Sequence, residues 1–241
     1  MCYARPVTGT VKASSRAQGV VRQLREAIFE GRLAPGAPLR EMTLARELEV
    51  SQATIREALQ QLEHAGLVTR VRNVGSSVTR LSPKDVQERL RLRALLEVLA
   101  ARAAAERMTD ADFTELERRL AVLGESVESD SYYEASQADL DFHRYVWHCS
   151  GNETLCALLE QVSVPLFAFV SILRSHGLHK LHAVVASHSP LIEALRSRDP
   201  QVIAEAFERG ATVSYESFLG ESSPRLTAEI FGFLAPTPPG R

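Results

Sequence analysis

Along the first third of the chain, apolar residues recur at helical spacing in short runs broken by turn chemistry. Val20, Val21, Leu24, Ala27 and Ile28 share one face of a helix between Gln18 and Gly31. Pro35, Gly36 and Pro38 make 33–39 a turn, because that composition disfavours a helix. Short helices are predicted over 43–48 and 52–65, the second closed by Gly66, the residue best able to take a left-handed cap. The runs 67–71 and 77–81 read as two strands around the tip 72–76. Ser, Thr and Gly in residues 1–15 predict a flexible tail. After Ser82-Pro83 the pattern changes to long helices over 84–107, 110–127, 131–150, 152–175, 179–198 and 200–219. Thr109 or Asp110, Asn152 and Asp199 stand where N-caps are expected, and Pro200 suits a first helical turn. Four prolines beyond Gly220 leave only 225–234 room for a helix in a C-terminal tail, 221–241. The expected fold is mainly α, with an N-terminal domain over 16–82 and an all-helical bundle over 83–220.

Charge separates the same two regions. Residues 1–80 carry a formal charge of +5 and the remainder −7, within a net charge of −2. Only the first region suits a polyanion. Composition, at 45% hydrophobic and 24% charged, is that of an ordinary soluble globular protein. Cys2, Cys149 and Cys156 form no CxxC pair and leave one over, which favours reduced thiols and a cytoplasmic location. The N-terminal residues contain no apolar signal core. The longest apolar run, 162–173, is interrupted by Ser163, Pro165 and Ser171 and reads as a core helix too short to span a bilayer, so no membrane partner is expected.

Two short helices joined by a tight turn and followed by a two-stranded hairpin form the winged helix-turn-helix pattern, a reader of double-stranded DNA. Its second helix needs an apolar rear face and small polar residues at its N-terminal end. Ile55, Ala58, Leu59 and Leu62 supply the first; Ser51, Gln52, Ala53, Thr54 and Arg56 supply the second. Gln52 can pair bidentately with adenine, Ser51 and Thr54 can bond bases or phosphates, and Ala53 can touch a thymine methyl. Arg56 suits phosphate or guanine, while Arg40, Arg72 and Asn73 would straddle the backbone. Thr43 and Gly75 complete the candidate interface. Singly, each is better read as a solvated residue.

Their order is more specific. Gly31-Arg32-Leu33-Ala34-Pro35-Gly36, Leu44-Ala45, Val50-Ser51, Arg56-Glu57-Ala58-Leu59, Leu62-Glu63 and Gly66-Leu67-Val68 together resemble the GntR family over residues 18–80. The resemblance implies a bacterial transcription regulator with operator DNA as partner, most often a homodimeric repressor. The family usually has Arg, Thr and Pro where this chain has Gln52, Ala53 and Thr54, and some members carry a base-reading Arg near Thr43. These departures leave the expected fold intact and imply a shift from guanine towards adenine.

Three patches in the second region resemble the FadR-like branch of that family, which carries an FCD-type ligand-sensing domain. They are 92–97 with Ala100-Ala101, 139–143 with 150–152, and His188 with 192–195 and Asp199. Asp139 and His143, four apart, place a carboxylate and an imidazole on one helix face, a pairing able to chelate a divalent ion. In metal-binding members of the branch two further histidines complete the site; His188 matches the first, and Gly210 stands where the second is expected. The resemblance therefore implies one divalent ion of zinc or nickel type at an incomplete three-ligand site. The alternative is a hydrogen-bonded Asp139–His143 pair lining an apolar pocket. Pro190 departs from the pattern and is expected to disturb the helix presenting His188.

A small organic-acid effector would bind near Asp139, His143 and His188. Arg93 is a candidate to neutralise it, although an Arg93–Glu97 pair at i,i+4 serves the arginine equally well. Phe142, Phe167, Phe169 and Phe207 read as core, Trp147 and His148 as packing residues, and His176, His179 and His182 as exposed or capping. No catalytic triad, phosphate loop or HExxH motif occurs, so no enzyme is expected. An adaptor without a ligand would need a filled helical core.

Overall fold

The computed structural model describes residues 11–72, 74–128, 131–175 and 182–219. Helix α1 (Val11–Phe29) lies against α3 (Gln52–His64), with the short α2 (Glu41–Glu47) beside it. Ile55, Ala58, Leu59 and Leu62, the stripe expected from spacing, are all buried against Val20, Leu24 and Ile28 of α1. Ser51 caps α3 by accepting a hydrogen bond from the Thr54 N–H. Gly66 ends the element at φ +74, with the Leu67 N–H bonded to the Leu62 carbonyl and the Gly66 N–H to that of Glu63. That pair of bonds is a complete Schellman stop.

The wing is β2 (Val68–Val71) paired antiparallel with β3 (Gly75–Val78), Val68 opposite Val78 and Val71 opposite Gly75. The second strand begins two residues earlier than the pattern predicts. A third strand, β1 (Pro38–Leu39), pairs with Ser76–Ser77 on the other edge of β3, giving the order β1-β3-β2. The segment read as a turn thus also ties the wing to the helices. Helix α1 starts at Val11, inside the segment expected to be a tail; the other expected tail, 221–241, lies outside the described residues.

Six long helices follow: α4 (Pro83–Arg107), α5 (Asp110–Glu128), α6 (Tyr132–Cys149), α7 (Glu153–Ser175), α8 (His182–Ser197) and α9 (Pro200–Leu219). Their starts are chemically marked. Ser82 and Asp85 exchange side chain–backbone hydrogen bonds as a capping box with Pro83 in the first turn. Thr109 and Asp112 do the same for α5, Asn152 caps α7, and Asp199 accepts from Gln201 and Val202 of α9. Both Pro165 and Pro190 lie inside helices that continue through them.

Helix α4 packs on α6, α7 and α9, and α5 on α6 and α8. By length and composition alone, α7 is long enough to cross a membrane over Glu153–Leu173, contrary to the expectation from its shorter apolar run. It is instead a core helix of this protein, with 67% of that apolar window buried. One face meets the head: Leu155, Leu159, Val164, Phe167 and Ala168 share an apolar cluster with the α1–α3 core. At this junction Gly66 approaches Pro165 so closely that a Cβ there would stand 2.9 Å from the proline ring.

Candidate functional site

The DNA-reading candidates fall on two parts of the head, the α2–α3 segment and the wing. Arg40 precedes α2, Gln52 and Ala53 open α3, and all three are exposed. Thr43 and Thr54 are half-buried. Ser51 is engaged by its cap and by a 2.8 Å contact with the Thr54 hydroxyl, so both hydroxyls already have a structural role. Arg56 is exposed but its Nε donates to Glu41 Oε2 at 2.6 Å, a partner sequence spacing does not suggest. Arg72 is exposed beside the wing tip, and Gly75, at φ +115, faces open space. Asn73 lies outside the described residues.

The second group is the opposite in character. Asp139 and His143 project from α6, His188 from α8, and Arg93 and Glu97 from α4; all five are buried. One ligand atom from each of Asp139, His143 and His188 lies within 4.8 Å of the others. His188 Nε2 is 3.0 Å from Asp139 Oδ1, and His143 Nε2 is 3.6 Å from the same oxygen. Arg93 Nη2 is 3.3 Å from His143 Nε2, while Glu97 Oε1 sits 3.0 Å from His143 Nδ1, at an angle too bent for a well-formed hydrogen bond. Arg93 Nε and Glu97 Oε2 are 3.3 Å apart. The i,i+4 pair expected on spacing exists, but it is internal and touches the histidine. Trp147, four residues beyond His143, donates its indole N–H to Glu97 at 3.2 Å. Phe167 lies under the Arg93 guanidinium at 4.7 Å.

These contacts set the protonation of the cluster. Burial pulls the Glu97 carboxyl upward, but Arg93 and His143 outweigh it and hold it at about 2. Burial lowers His143; Glu97 pulls it back, and Arg93 and His188 push it further down. Burial thus favours the neutral form of His143, whose Nδ1 is turned to Glu97 and whose Nε2 faces the Arg93 guanidinium, a group that can only donate. A carboxylate 3.0 Å behind a histidine is placed to orient a metal ligand. The donor set fits a divalent ion: two imidazoles and one carboxylate, converging and buried. Sequence reasoning missed Glu97 and Trp147 as members of this cluster. Of the other predictions nearby, Phe142, Phe167, Phe169, Phe207 and Trp147 are buried as core, whereas His148 is exposed and does not pack. His176 and His179 lie outside the described residues, as does the side chain of His182.

Gly210 is in helical backbone, and a Cβ there would stand 3.2 Å from Leu191 Cδ2, one turn from His188. It borders a cavity of about 580 Å³ between α8 and α9, lined also by Ser187, Pro190, Ala194 and Ala206. None of Arg93, Asp139, His143 and His188 lines that cavity.

Comparison with known proteins agrees with this architecture. The profile of the bacterial regulatory proteins of the gntR family matches residues 16–78, and that of the FCD domain matches residues 88–209. The HTH-type transcriptional regulator YdhC of Bacillus subtilis is 31% identical over 180 residues, 74% of this chain and 80% of that protein. A Paenarthrobacter nicotinovorans protein named "Probable D-xylose utilization operon transcriptional repressor" is 29% identical, covering 84% of this chain and 87% of its own. Among solved structures, Escherichia coli McbR/YncC shares the fold with a TM-score of 0.69 at 24% identity, over 84% of this chain and 98% of that one. The chain belongs to the gntR family of bacterial regulatory proteins, and is a DNA-binding transcriptional regulator with an FCD sensor domain rather than an enzyme.

Proposed function

We propose that this regulator is a cytoplasmic homodimeric repressor whose operator affinity is set by a small organic acid bound at the buried Arg93–Asp139–His143–His188 cluster. The carrying observation is the convergence of three metal-type ligands beside a buried guanidinium. A divalent ion held by Asp139, His143 and His188 would offer open coordination positions to a ligand carboxylate. Charge favours an acid. Among the described residues Arg93, Glu97 and Asp139 together carry −1, so a divalent ion would leave the buried site at +1, and a monocarboxylate would bring it to neutrality. Arg93 then supplies the second anion contact, through the Nη2 that now rests on His143.

Arg40, Thr43, Ser51, Gln52, Ala53, Thr54, Arg56, Arg72, Asn73 and Gly75 are the proposed operator contacts, with α3 in the major groove and the wing on the backbone. The repressor sense follows the Paenarthrobacter nicotinovorans relative, named for repression. A thermal-shift screen of organic acids, run with and without zinc, tests the sensor assignment. Acids should raise the melting temperature of the wild type more strongly with zinc, and leave Asp139→Ala unmoved. An unresponsive wild type, or an equally responsive Asp139→Ala, would remove the cluster as the effector site.

A further inference from the structure

Helix α4 carries its sensor residues on one side and, on the other, an apolar stripe that no apolar cluster among the described residues covers. Leu92, Leu95 and Leu99 are 50%, 63% and 56% exposed, although large exposed leucines in sequence along one helix face are unusual for a monomer surface. Arg93 and Glu97 point inward; at 3.6 residues per turn, Leu95 and Leu99 lie about 200° round the helix from them. The stripe continues at both ends with charged residues on the same spacing of three and four. Exposed Lys84 and Glu88 precede the leucines, and exposed Arg102 and Glu106 follow them.

The order of those charges is self-complementary. Counted outward from Leu95, Glu88 and Arg102 are seven residues away on either side, and Lys84 and Glu106 eleven. Two copies of α4 laid antiparallel about a two-fold axis at Leu95 would therefore place Glu88 opposite the partner's Arg102 and Lys84 opposite the partner's Glu106. A parallel pairing in register would set like charges against each other at every one of these positions. Within one chain Lys84 and Glu88 already meet at 3.7 Å, so each end of the seam would hold two cations and two anions. Leu95 meets its own copy in the middle, flanked by Leu92 and Leu99, with Leu99 opposite the partner's Arg91. Apolar centre and compensated charged rim are the usual anatomy of a specific interface.

We propose that α4 pairs antiparallel with α4 of a second copy of this chain, centred on Leu95. This rests on the homodimer reading above and specifies its surface and register. It also gives α4 two faces with two duties: the helix that presents Arg93 and Glu97 to the sensor cluster is the helix at the seam. An isologous contact of this kind closes on itself and yields dimers rather than filaments.

Sedimentation velocity with four variants tests it. Leu95→Asp should raise the dimer dissociation constant at least about 100-fold, because a charge then meets its own copy at the centre. Glu88→Arg and Arg102→Glu should each weaken the dimer about 10-fold, and the double variant should recover. Leu95→Cys in a Cys2→Ser, Cys149→Ser background should crosslink to a covalent dimer with a short bismaleimide, since residue 95 meets itself at the axis. Circular dichroism checks that Leu95→Asp keeps its helices, and the charge reversals are informative even if it does not. A wild-type dimer that Leu95→Asp and both single reversals leave equally tight would overturn the α4 seam while sparing the dimer. A wild type that is monomeric at operator-saturating concentrations would overturn both.

Discussion

The head and the sensor domain use polar residues under opposite constraints. On the head, Gln52 and Arg72 are exposed, and water satisfies them when DNA is absent. Their identity is nearly independent of whether the domain folds, which explains how the chain can carry Gln52 at the start of α3 without disturbing that helix's buried stripe. In the sensor, Arg93, Glu97, Asp139, His143 and His188 are buried and lie against one another, so a change of charge at one is felt by the others. Function and stability are separable in the first region and joined in the second. That difference orders the expected effects of substitution.

The largest belongs to the buried network. Glu97→Gln removes the carboxylate that faces Arg93, His143 and Trp147, and should destabilise the protein by about 3–5 kcal/mol, the usual cost of stranding one partner of a buried pair. Urea denaturation measures it; a loss below about 1 kcal/mol would mean that water reaches the cluster and screens it. The same charges set a pH dependence. Both groups bind protons more weakly in the folded state: His143 lies below its ordinary 6.5, and Glu97 falls from 4.5 to about 2. Stability should therefore decline as pH drops below about 6.5 and fall faster between 4.5 and 2. In Glu97→Gln the steep acid limb should flatten.

Head substitutions should touch binding alone. Arg72→Ala should weaken the operator complex and reduce its salt dependence by about one counterion, with an unchanged melting temperature. Arg56→Ala should also weaken it, through a guanidinium that Glu41 holds in place in the free protein. If either variant melts early, the head is not independent of its reading surface. Gln52→Arg should redirect preference from adenine towards guanine at one symmetric position per half-site, worth about 1–3 kcal/mol in a binding-site selection. The smallest change is Gly210→His. The backbone there is helical and Leu191 must yield by only a few tenths of an ångström, so the variant should bind zinc more tightly than the wild type by isothermal titration. Equal affinity would mean that the imidazole never reaches the cluster.

Elements with local chemical signals were read well from sequence. Ser82-Pro83, Thr109, Asn152 and Asp199-Pro200 mark helix starts through bonds made within three residues, and Gly66 marks a stop in the same way. The buried stripe of α3 follows from period alone. What was missed depends on distant partners. Strand β1 is two residues long, too short for any periodicity, and exists only because Ser76–Ser77 come back to pair with it. Glu97 sits one turn from Arg93 and resembles any surface pair until α6 brings His143 and Trp147 over it. The apolar length of α7, interrupted by Ser163, Pro165 and Ser171, is explained by the head on one side and α4 and α6 on the other. Asp139, His143 and His188 were legible because one helical turn joins the first two and resemblance supplied the third. Sequence could not show that Arg93 occupies His143 Nε2, the nitrogen a metal would need.

The central claim is that the buried cluster controls DNA binding, and fluorescence anisotropy of a labelled operator tests it most directly. Wild type and Asp139→Ala are titrated with zinc and with the acid that stabilises the protein most in the thermal screen. The wild type should lose operator affinity by about 10-fold or more when both are present, within the usual range of coupling between sites. Asp139→Ala, with its reading surface intact, should bind the operator equally well in every condition. A wild type whose operator affinity does not change on loading, or an Asp139→Ala protein that responds as the wild type does, would contradict the account.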